Sequence, residues 1–497
     1  MYPEDFGKEI AFANFATIFY THSLMKKSIV LLFIVLFALQ ACNQANASYE
    51  ISVNITGLND STIFLAYHFG DKQYVTDTVR LDSEGRGVFA GKETLAPGIY
   101  MVVLPGKKYF EVLISDDQNY GVSCNYNDYF NTLKISGSDE NNRFIEYQKR
   151  WGSMQQKAAA NVKRLQSISK NNDSVRVLTV RQNLLEADMK TYLRSIYAQN
   201  QSNLLGVLVK SMIPIGVPEF KVPDNAKNPD SIRWITRYLY NKNHFFDNID
   251  LTDERLLRTP ILQARLDAFF TNVVIQSADS INREIDKLIK KCESNPKMFQ
   301  FIAVYLFNHF RESEIMGHDA VLVKLADDIY LSGKADWISA EFKEDLRKQV
   351  ELLRYNLIGM KAQNLVMDSY KGIFVALYDI EKEFTILYFW EPNCGFCKEY
   401  TPKLKDYYEK SKNAGIEVFA VCTISDKAAW TKYIEENGLT WINGWDPDRS
   451  SRFDYFYNVQ STPMVYVLDR NKKIIAKKIS VDDIPSFIDS YRKYYRQ

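Results

Sequence analysis

The stretch that decides the fold of one part of this chain is Phe384-Thr385-Ile386-Leu387-Tyr388-Phe389-Trp390-Glu391-Pro392-Asn393-Cys394-Gly395-Phe396-Cys397-Lys398. Its first seven residues are nearly all apolar and predict a buried strand, and the two cysteines open a predicted helix. Cysteines at positions i and i+3 of a first helical turn have Cα atoms about 5 Å apart, within the roughly 4.4–6.8 Å that a disulfide needs. The pair can therefore alternate between dithiol and disulfide without a change of fold.

The position of each cysteine predicts its chemical role. Cys394 is expected at the helix N-cap, where unpaired N–H groups and the helix dipole lower the pKa of a thiol below its free value of about 8.5. It is therefore the predicted nucleophile, which attacks a substrate disulfide and forms a mixed disulfide. Cys397 lies one turn later, is expected to be less exposed, and would resolve that intermediate.

Strands and helices alternate around this pair. After the strand and the cysteine helix, the pattern predicts a strand at 416–423, a helix at 427–437, a short helix at 450–457, strands at 464–468 and 473–477, and a last helix at 481–495. A Cys-x-x-Cys at a strand-to-helix junction in such an order is a redox motif. We therefore predict an α/β thioredoxin-like domain over residues 358–497.

The quoted stretch resembles the Phe-Trp-x-x-x-Cys-Gly-x-Cys-Lys signature of thioredoxins, and Ser461-Thr462-Pro463 resembles their cis-proline loop. The helix at 427–437 and the strand after it are similar to the insertion of the TlpA-like periplasmic branch. This resemblance implies a thiol-disulfide oxidoreductase, in the reductase direction by preference. Its substrates would be disulfide-containing proteins or small thiols, and an upstream thiol protein would donate electrons.

The resemblance also implies a substrate-binding surface. The backbone of Thr462 would pair with the substrate chain, and Pro463 would keep metal-binding groups away from the thiols. The remaining residues that the resemblance assigns to this surface are Trp390, Gly395 and Phe396.

Two positions depart from the family pattern. Tyr388 stands where thioredoxins often have a buried Asp, and Tyr400 stands where TlpA-like reductases often have a Glu. A tyrosine, with a pKa near 10, is a poor base. Glu399 is the remaining candidate proton relay, although it points about 100° away from position 400 on the helix.

Other uses of the cysteine pair can be compared with the sequence. A zinc ribbon needs a second pair, and residue 398 is Lys rather than the His of a haem attachment motif. A peroxiredoxin would need a Thr shortly before Cys394, where Glu391-Pro392-Asn393 offers none. We expect no metal and no cofactor. The open alternative is a structural or protein-binding envelope lipoprotein in which Cys394 and Cys397 form only a stabilising disulfide.

Residues 25–42 have the features of a lipoprotein signal peptide. Basic Lys26 and Lys27 precede the apolar run Ile29–Leu39, and Leu39-Gln40-Ala41-Cys42 resembles a lipobox. As a helix, the run would rise only about 16 Å, half of the hydrocarbon core of a bilayer. The resemblance implies that Cys42 is acylated and anchors a periplasm-facing protein in the cell envelope, with the outer membrane preferred. Residues 1–24 carry acidic groups foreign to such a leader and are interpreted as a spurious or upstream extension.

Two further domains are predicted before the redox domain. Residues 49–138 alternate in strand fashion with turns between them and predict a small antiparallel β sandwich, whereas residues 141–357 show helical periodicity and predict an all-α domain. Both stretches resemble domains of unknown function that precede thioredoxin-like domains in envelope lipoproteins. Cys124 and Cys422 are predicted to be core thiols, and Cys292 a partly exposed one.

Composition agrees with a multidomain globular protein. The 497 residues include 62 Lys and Arg and 61 Asp and Glu, for a net charge of +1. Such a balance removes the general electrostatic attraction to nucleic acid. The predicted partners are therefore the thiol and disulfide substrates, the electron donor, and the membrane through Cys42.

Overall fold

The structure is a computed structural model that describes residues 48–168, 173–223 and 225–495. These residues form two compact units. One contains the described residues up to Val274 together with Lys291–Phe299, and the other contains Ile275–Lys290 and the described residues from Gln300 onward. The predicted leader and Cys42 lie outside the described residues.

The first unit begins with eight strands: β1 (Tyr49–Thr56), β2 (Thr62–Phe69), β3 (Lys72–Arg80), β4 (Arg86–Gly91), β5 (Gly98–Leu104), β6 (Lys108–Ile114), β7 (Asn119–Asn125) and β8 (Lys134–Ser136). They form two sheets with the strand orders β4-β1-β7-β8 and β3-β2-β5-β6. Apolar residues of both sheets, such as Ile51 of β1 and Ile63 of β2, share one core. The predicted β sandwich is confirmed.

The prediction that all strands pair antiparallel is wrong for one pair. β1 and β7 are parallel, with Val53 opposite Val122. No hairpin joins these two strands, since the five strands between them include all of the second sheet. A long connection of this kind allows the chain to return in the same direction.

Among the described residues up to 354, the helices are α1 (Tyr129–Thr132), α2 (Asp139–Ser167), α3 (Asp173–Gln199), α4 (Leu204–Met212), α5 (Pro229–Asn243), α6 (Ile261–Ala268), α7 (Ala278–Cys292), α8 (Pro296–Arg311), α9 (Asp319–Leu325) and α10 (Ala340–Arg354). The predicted all-α region is confirmed. Two helices are continued by π-helical turns, Phe269–Val273 after α6 and Ala326–Leu331 after α9. Cys292 is fully buried, so its predicted partial exposure is wrong.

The second unit contains a seven-stranded sheet with the order β10-β9-β13-β12-β11-β14-β15. Its strands are β9 (Val366–Ser369), β10 (Phe374–Ala376), β11 (Phe384–Trp390), β12 (Ile416–Cys422), β13 (Ile442–Trp445), β14 (Met464–Asp469) and β15 (Ile474–Lys477), and its helices are α11 (Gly395–Ser411), α12 (Lys427–Asn437), α13 (Phe453–Phe456) and α14 (Ile484–Tyr495). β11 is buried along its whole length, parallel to β12 and antiparallel to β14. Separate apolar clusters cover the two faces of the sheet. The α/β prediction is confirmed.

The helical residues from Gln300 onward belong to the same compact unit as this sheet. Lys477, the last residue of β15, is only 4% exposed and forms an ion pair with Asp319. Its Nζ also donates to the Asn356 side-chain oxygen at 2.6 Å and to the Asn356 carbonyl at 3.0 Å. A buried polar cluster therefore ties α9 and the end of α10 to the edge of the sheet.

Candidate active site

The central strand, β11, positions Cys394 at the start of α11. β11 ends at Trp390, three residues follow, and Cys394 is the N-cap of the helix with φ −74° and ψ 126°. Its Sγ accepts a hydrogen bond from the Cys397 N–H at 3.3 Å. The thiol thus takes the place of the serine or aspartate oxygen that commonly caps a helix.

The two thiols differ in ionisation because they differ in surroundings. Partial burial of Cys394 opposes its ionisation, but hydrogen bonds from the thiol and the N–H of Cys397, and from Thr462, outweigh burial and lower the pKa of Cys394 below its ordinary value. Cys397 is fully buried, and burial raises its pKa to about 12. One thiol is ready to act as a thiolate, and the other is held protonated.

The predicted cis-proline loop lies against Cys394. The Thr462–Pro463 peptide bond is cis, and the Cys394 thiol donates to the Thr462 carbonyl at 3.2 Å. The sheet explains this approach, because Phe389 of β11 pairs with Met464 of β14. The residues just before β14 therefore lie level with the residues just after β11.

The structure places the other predicted surface residues at different depths. Phe396 is 66% exposed beside Cys394, and Gly395 faces open space. Trp390 is fully buried and packs on the Tyr433 ring at a centroid distance of 5.0 Å. Phe396 and Gly395 can touch a docked chain directly. Trp390 cannot, because it is in the core, and it supports the site only through its packing on Tyr433.

Glu399, the predicted proton relay, lies on the solvent side of α11. Its carboxylate accepts from Lys403 at 3.3 Å, and Lys403 also pairs with Asp482 at 3.0 Å. All three side chains are exposed. The structure does not bring Glu399 together with the buried Cys397.

Sequence reasoning missed a set of hydroxyl groups in the core below the thiols. The hydroxyls of Tyr388 and Thr401 are 2.9 Å apart, and both side chains are fully buried. Thr401 follows Cys397 by four residues, so the two lie on the same face of α11. The sequence did contain a signal for these hydroxyls: Thr401 follows Cys397 at i+4, and Tyr388 is on the adjacent buried strand.

The remaining described cysteines are buried free thiols. Burial raises the pKa of Cys422 and of Cys292 to about 12 and that of Cys124 to about 11. Within residues 48–168, 173–223 and 225–495, no cluster of three or more His, Cys, Asp or Glu side chains is arranged to hold a metal ion. No helix in that part of the chain is long and apolar enough to span a bilayer.

The sheet, the dithiol at a helix start and the cis-proline loop define a thioredoxin-like domain of the thiol-disulfide oxidoreductase class. Residues 358–477 accordingly match the AhpC/TSA family. Residues 49–144 and 166–356 match two domains of unknown function, DUF4369 and DUF5106.

Known proteins resemble parts of this chain. The thiol-disulfide oxidoreductase ResA of Geobacillus kaustophilus is 28% identical over 141 residues, which cover 27% of this chain and 78% of that protein. A solved domain of a possible thiol-disulfide isomerase from Cytophaga hutchinsonii is 38% identical and covers 28% of this chain and 96% of its own, with a TM-score of 0.27. A thioredoxin-like protein from Bacteroides caccae is 19% identical and covers 56% of this chain and 100% of its own, with a TM-score of 0.42.

Proposed function

We propose that this chain is a disulfide reductase of the periplasm, with Cys394 as nucleophile and Cys397 as resolving thiol. The observation that carries the proposal is the contrast between the two thiols: Cys394 is accessible and has a lowered pKa, whereas Cys397 is buried one turn away. The alternative, a merely stabilising disulfide, gives no reason for this contrast.

The reaction has two exchange steps. The Cys394 thiolate attacks one sulfur of a substrate disulfide, forms a mixed disulfide and releases the other sulfur as a thiol after protonation. Cys397 then loses its proton, attacks Cys394 Sγ and releases the second substrate thiol. The substrate gains two electrons, the protein becomes the Cys394–Cys397 disulfide, and a donor dithiol protein restores the dithiol.

The docking of a substrate chain is proposed at Thr462, Pro463 and Phe396. The Thr462 carbonyl already points at Cys394, and Phe396 offers an exposed aromatic ring beside the reacting sulfur. A disulfide held in an extended peptide would have backbone partners on one side and an apolar contact on the other. Phe396→Ser should therefore raise KM for a protein disulfide more than for a small one.

Trapping tests the mechanism. Cys397→Ser should accumulate mixed disulfides through Cys394, and insulin reduction should be lost in Cys394→Ser. The matched control is Cys422→Ser, which alters a buried thiol of the same domain and should leave both readouts unchanged. If the wild type reduces no disulfide and Cys397→Ser traps nothing, the pair is a structural disulfide and the alternative is correct.

The reductase direction is tested by the reduction potential of the pair. A value near the roughly −270 mV of thioredoxins would support a reductase, and one near about −120 mV, typical of strong oxidants, would contradict it. The dithiol is equilibrated with glutathione or dithiothreitol buffers and the alkylated fraction is measured. A hydrogen-peroxide reduction assay on the same sample separates this activity from a peroxidase.

The location is proposed from the sequence of the leader. Palmitate labelling of cells should mark the wild-type protein at Cys42 and fail with Cys42→Ala. If labelling survives this substitution, Cys42 is not the lipid anchor. In that case the proposed role of the β and α domains is to recruit partners without a lipid attachment.

A further inference from the structure

Helix α5 (Pro229–Asn243) of the first unit is encoded by local signals but buries little of its surface. The Asn228 side chain caps it by accepting a hydrogen bond from the Ser231 N–H, and a proline opens its first turn. None of its 15 residues is buried. A helix of about this length is marginal in water unless an apolar face packs against something. The described residues leave that face largely uncovered.

The exposed apolar side chains of α5 share one half of the helix. Ile232, Ile235 and Leu239 follow the i, i+3, i+7 spacing, and Trp234 completes an arc of about 160° at 100° per residue. Trp234 is 67% exposed, Ile235 46% and Leu239 43%. We call Ile232, Trp234, Ile235 and Leu239 the apolar face of α5.

The charges of α5 are mostly basic. Its 15 residues include the three bases Arg233, Arg237 and Lys242 and one acid, Asp230. Asp230 pairs with Arg233 at 2.9 Å, and both Arg233 and Arg237 lie on the half of the helix opposite the apolar face. The helix therefore combines an apolar face with a net positive charge, which complements an anionic surface.

The aromatic residues of α5 favour a lipid surface over a protein groove. Trp234 stacks on Tyr238 at a centroid distance of 5.6 Å, and the Tyr238 hydroxyl donates to the Val273 carbonyl at 3.0 Å. Trp and Tyr prefer the boundary between water and hydrocarbon, because one end of each ring system is apolar and the other polar. Arginines on one half and Trp, Ile and Leu on the other are typical of helices that lie in the plane of a membrane interface.

The chain before the described residues is short. β1 begins at Tyr49, seven residues after Cys42, and seven residues span at most about 25 Å. A lipid at Cys42 would hold the first unit next to a bilayer. We propose that the apolar face of α5 inserts into the surface of an anionic phospholipid bilayer. This second membrane contact goes beyond the thiol chemistry and does not require Cys42.

The fluorescence of Trp234 tests the contact directly. Full-length protein is mixed with vesicles of equal parts phosphatidylglycerol and phosphatidylcholine whose acyl chains carry bromine, a contact quencher. The Trp234 signal is the difference between each protein and its Trp234→Phe counterpart. We expect this signal to be quenched and shifted to the blue, and to be quenched much less by phosphatidylcholine alone or at high salt. Ile235→Asp should raise the lipid concentration for half-maximal quenching about tenfold or more, because a charge replaces an inserted apolar side chain.

Val88→Asp is the matched control. Val88 of β4 is in the same unit and, like Ile235, is 46% exposed, so this variant should keep the quenching of the wild type. Arg233→Glu with Arg237→Glu leaves the apolar face intact and should weaken the contact with the anionic vesicles about tenfold or more. A Trp234 signal that brominated lipid does not quench, or an equal loss in Val88→Asp, would overturn the proposal. So would a dimer that Ile235→Asp converts to a monomer in sedimentation, because a second copy of the chain would then cover the face.

Discussion

Replacing Lys477 by Met is predicted to destabilise the second unit far more than loss of an ordinary surface charge. The ammonium group lies in the core, bonded to Asp319 and to two oxygens of Asn356. Without it, the Asp319 carboxylate stays largely buried, and its Oδ1 already has no hydrogen-bond partner within the described residues. Removing one partner of a buried ion pair costs roughly 3–5 kcal/mol, because the other charge remains uncompensated.

The double variant tests whether uncompensated charge is the cause. Lys477→Met with Asp319→Leu removes both charges, and pairs replaced by apolar groups are often neutral or even stabilising by about 1–4 kcal/mol. We therefore expect the double variant to be more stable than Lys477→Met alone. Lys432→Met is the control, since the Lys432–Glu436 pair is exposed and should contribute about 0–1 kcal/mol.

Because the described residues form two compact units, we do not expect a single cooperative unfolding transition, and the assay must report on one unit. Cys422 serves as the probe, because it is buried in this unit and its pKa of about 12 keeps it unreactive until the unit opens. Pulsed alkylation of Cys422 across a temperature or urea series then gives the stability of the unit. Lys477→Met should lower its midpoint by about 6–20 °C, taking about 2–4 °C per kcal/mol for this size. A loss as small as that of Lys432→Met, or a double variant that is no better than the single, would refute the reasoning.

Three further predictions follow from the titrating groups. Alkylation of Cys394 by iodoacetamide should be half-maximal below about pH 8.5, where a free thiol titrates, and Cys394→Ser should abolish this phase. Burial lowers the pKa of His318, so the unfolded chain binds more protons below about pH 6.5, and stability should fall as pH drops from there toward the lowered value; His318→Gln should flatten this dependence in Cys422-probed urea titrations. Cys422→Ala should leave the reduction potential of the active pair unchanged, within a few millivolts by equilibrium alkylation, and a clear shift would make Cys422 a redox partner.

Local pattern was enough for the parts of the site that depend on neighbours in sequence. An apolar strand, a turn and a helix start place Cys394 at an N-cap, and the structure has that geometry. The two long helices α2 (Asp139–Ser167) and α3 (Asp173–Gln199) likewise lie in the stretch whose helical periodicity predicted an all-α domain. In each case the hydrophobic period, or a cap within one turn, carries the information.

Contacts between residues far apart in the sequence could not be predicted from the local pattern. Lys477 and Asp319 are 158 residues apart, and nothing local marks either as buried. Helix α4 (Leu204–Met212) has no readable period of its own, because the run is short and apolar on nearly every side. Cys292 looked exposed beside two lysines, yet the side chain turns into the core while the lysines remain outside.

The two thiols show where this division matters for chemistry. The ionisation of Cys394 follows from a helix start and from the neighbouring loop, so any chain with the same two motifs should share the order of attack. Resolution by Cys397 depends instead on the core around a thiol whose pKa burial raises to about 12, against the opposing effects of the Glu391 backbone and Thr462. Proteins with identical Cys-x-x-Cys motifs can therefore differ in the second step while agreeing in the first. For this chain, we expect the burial of Cys397 to set the lifetime of the mixed disulfide.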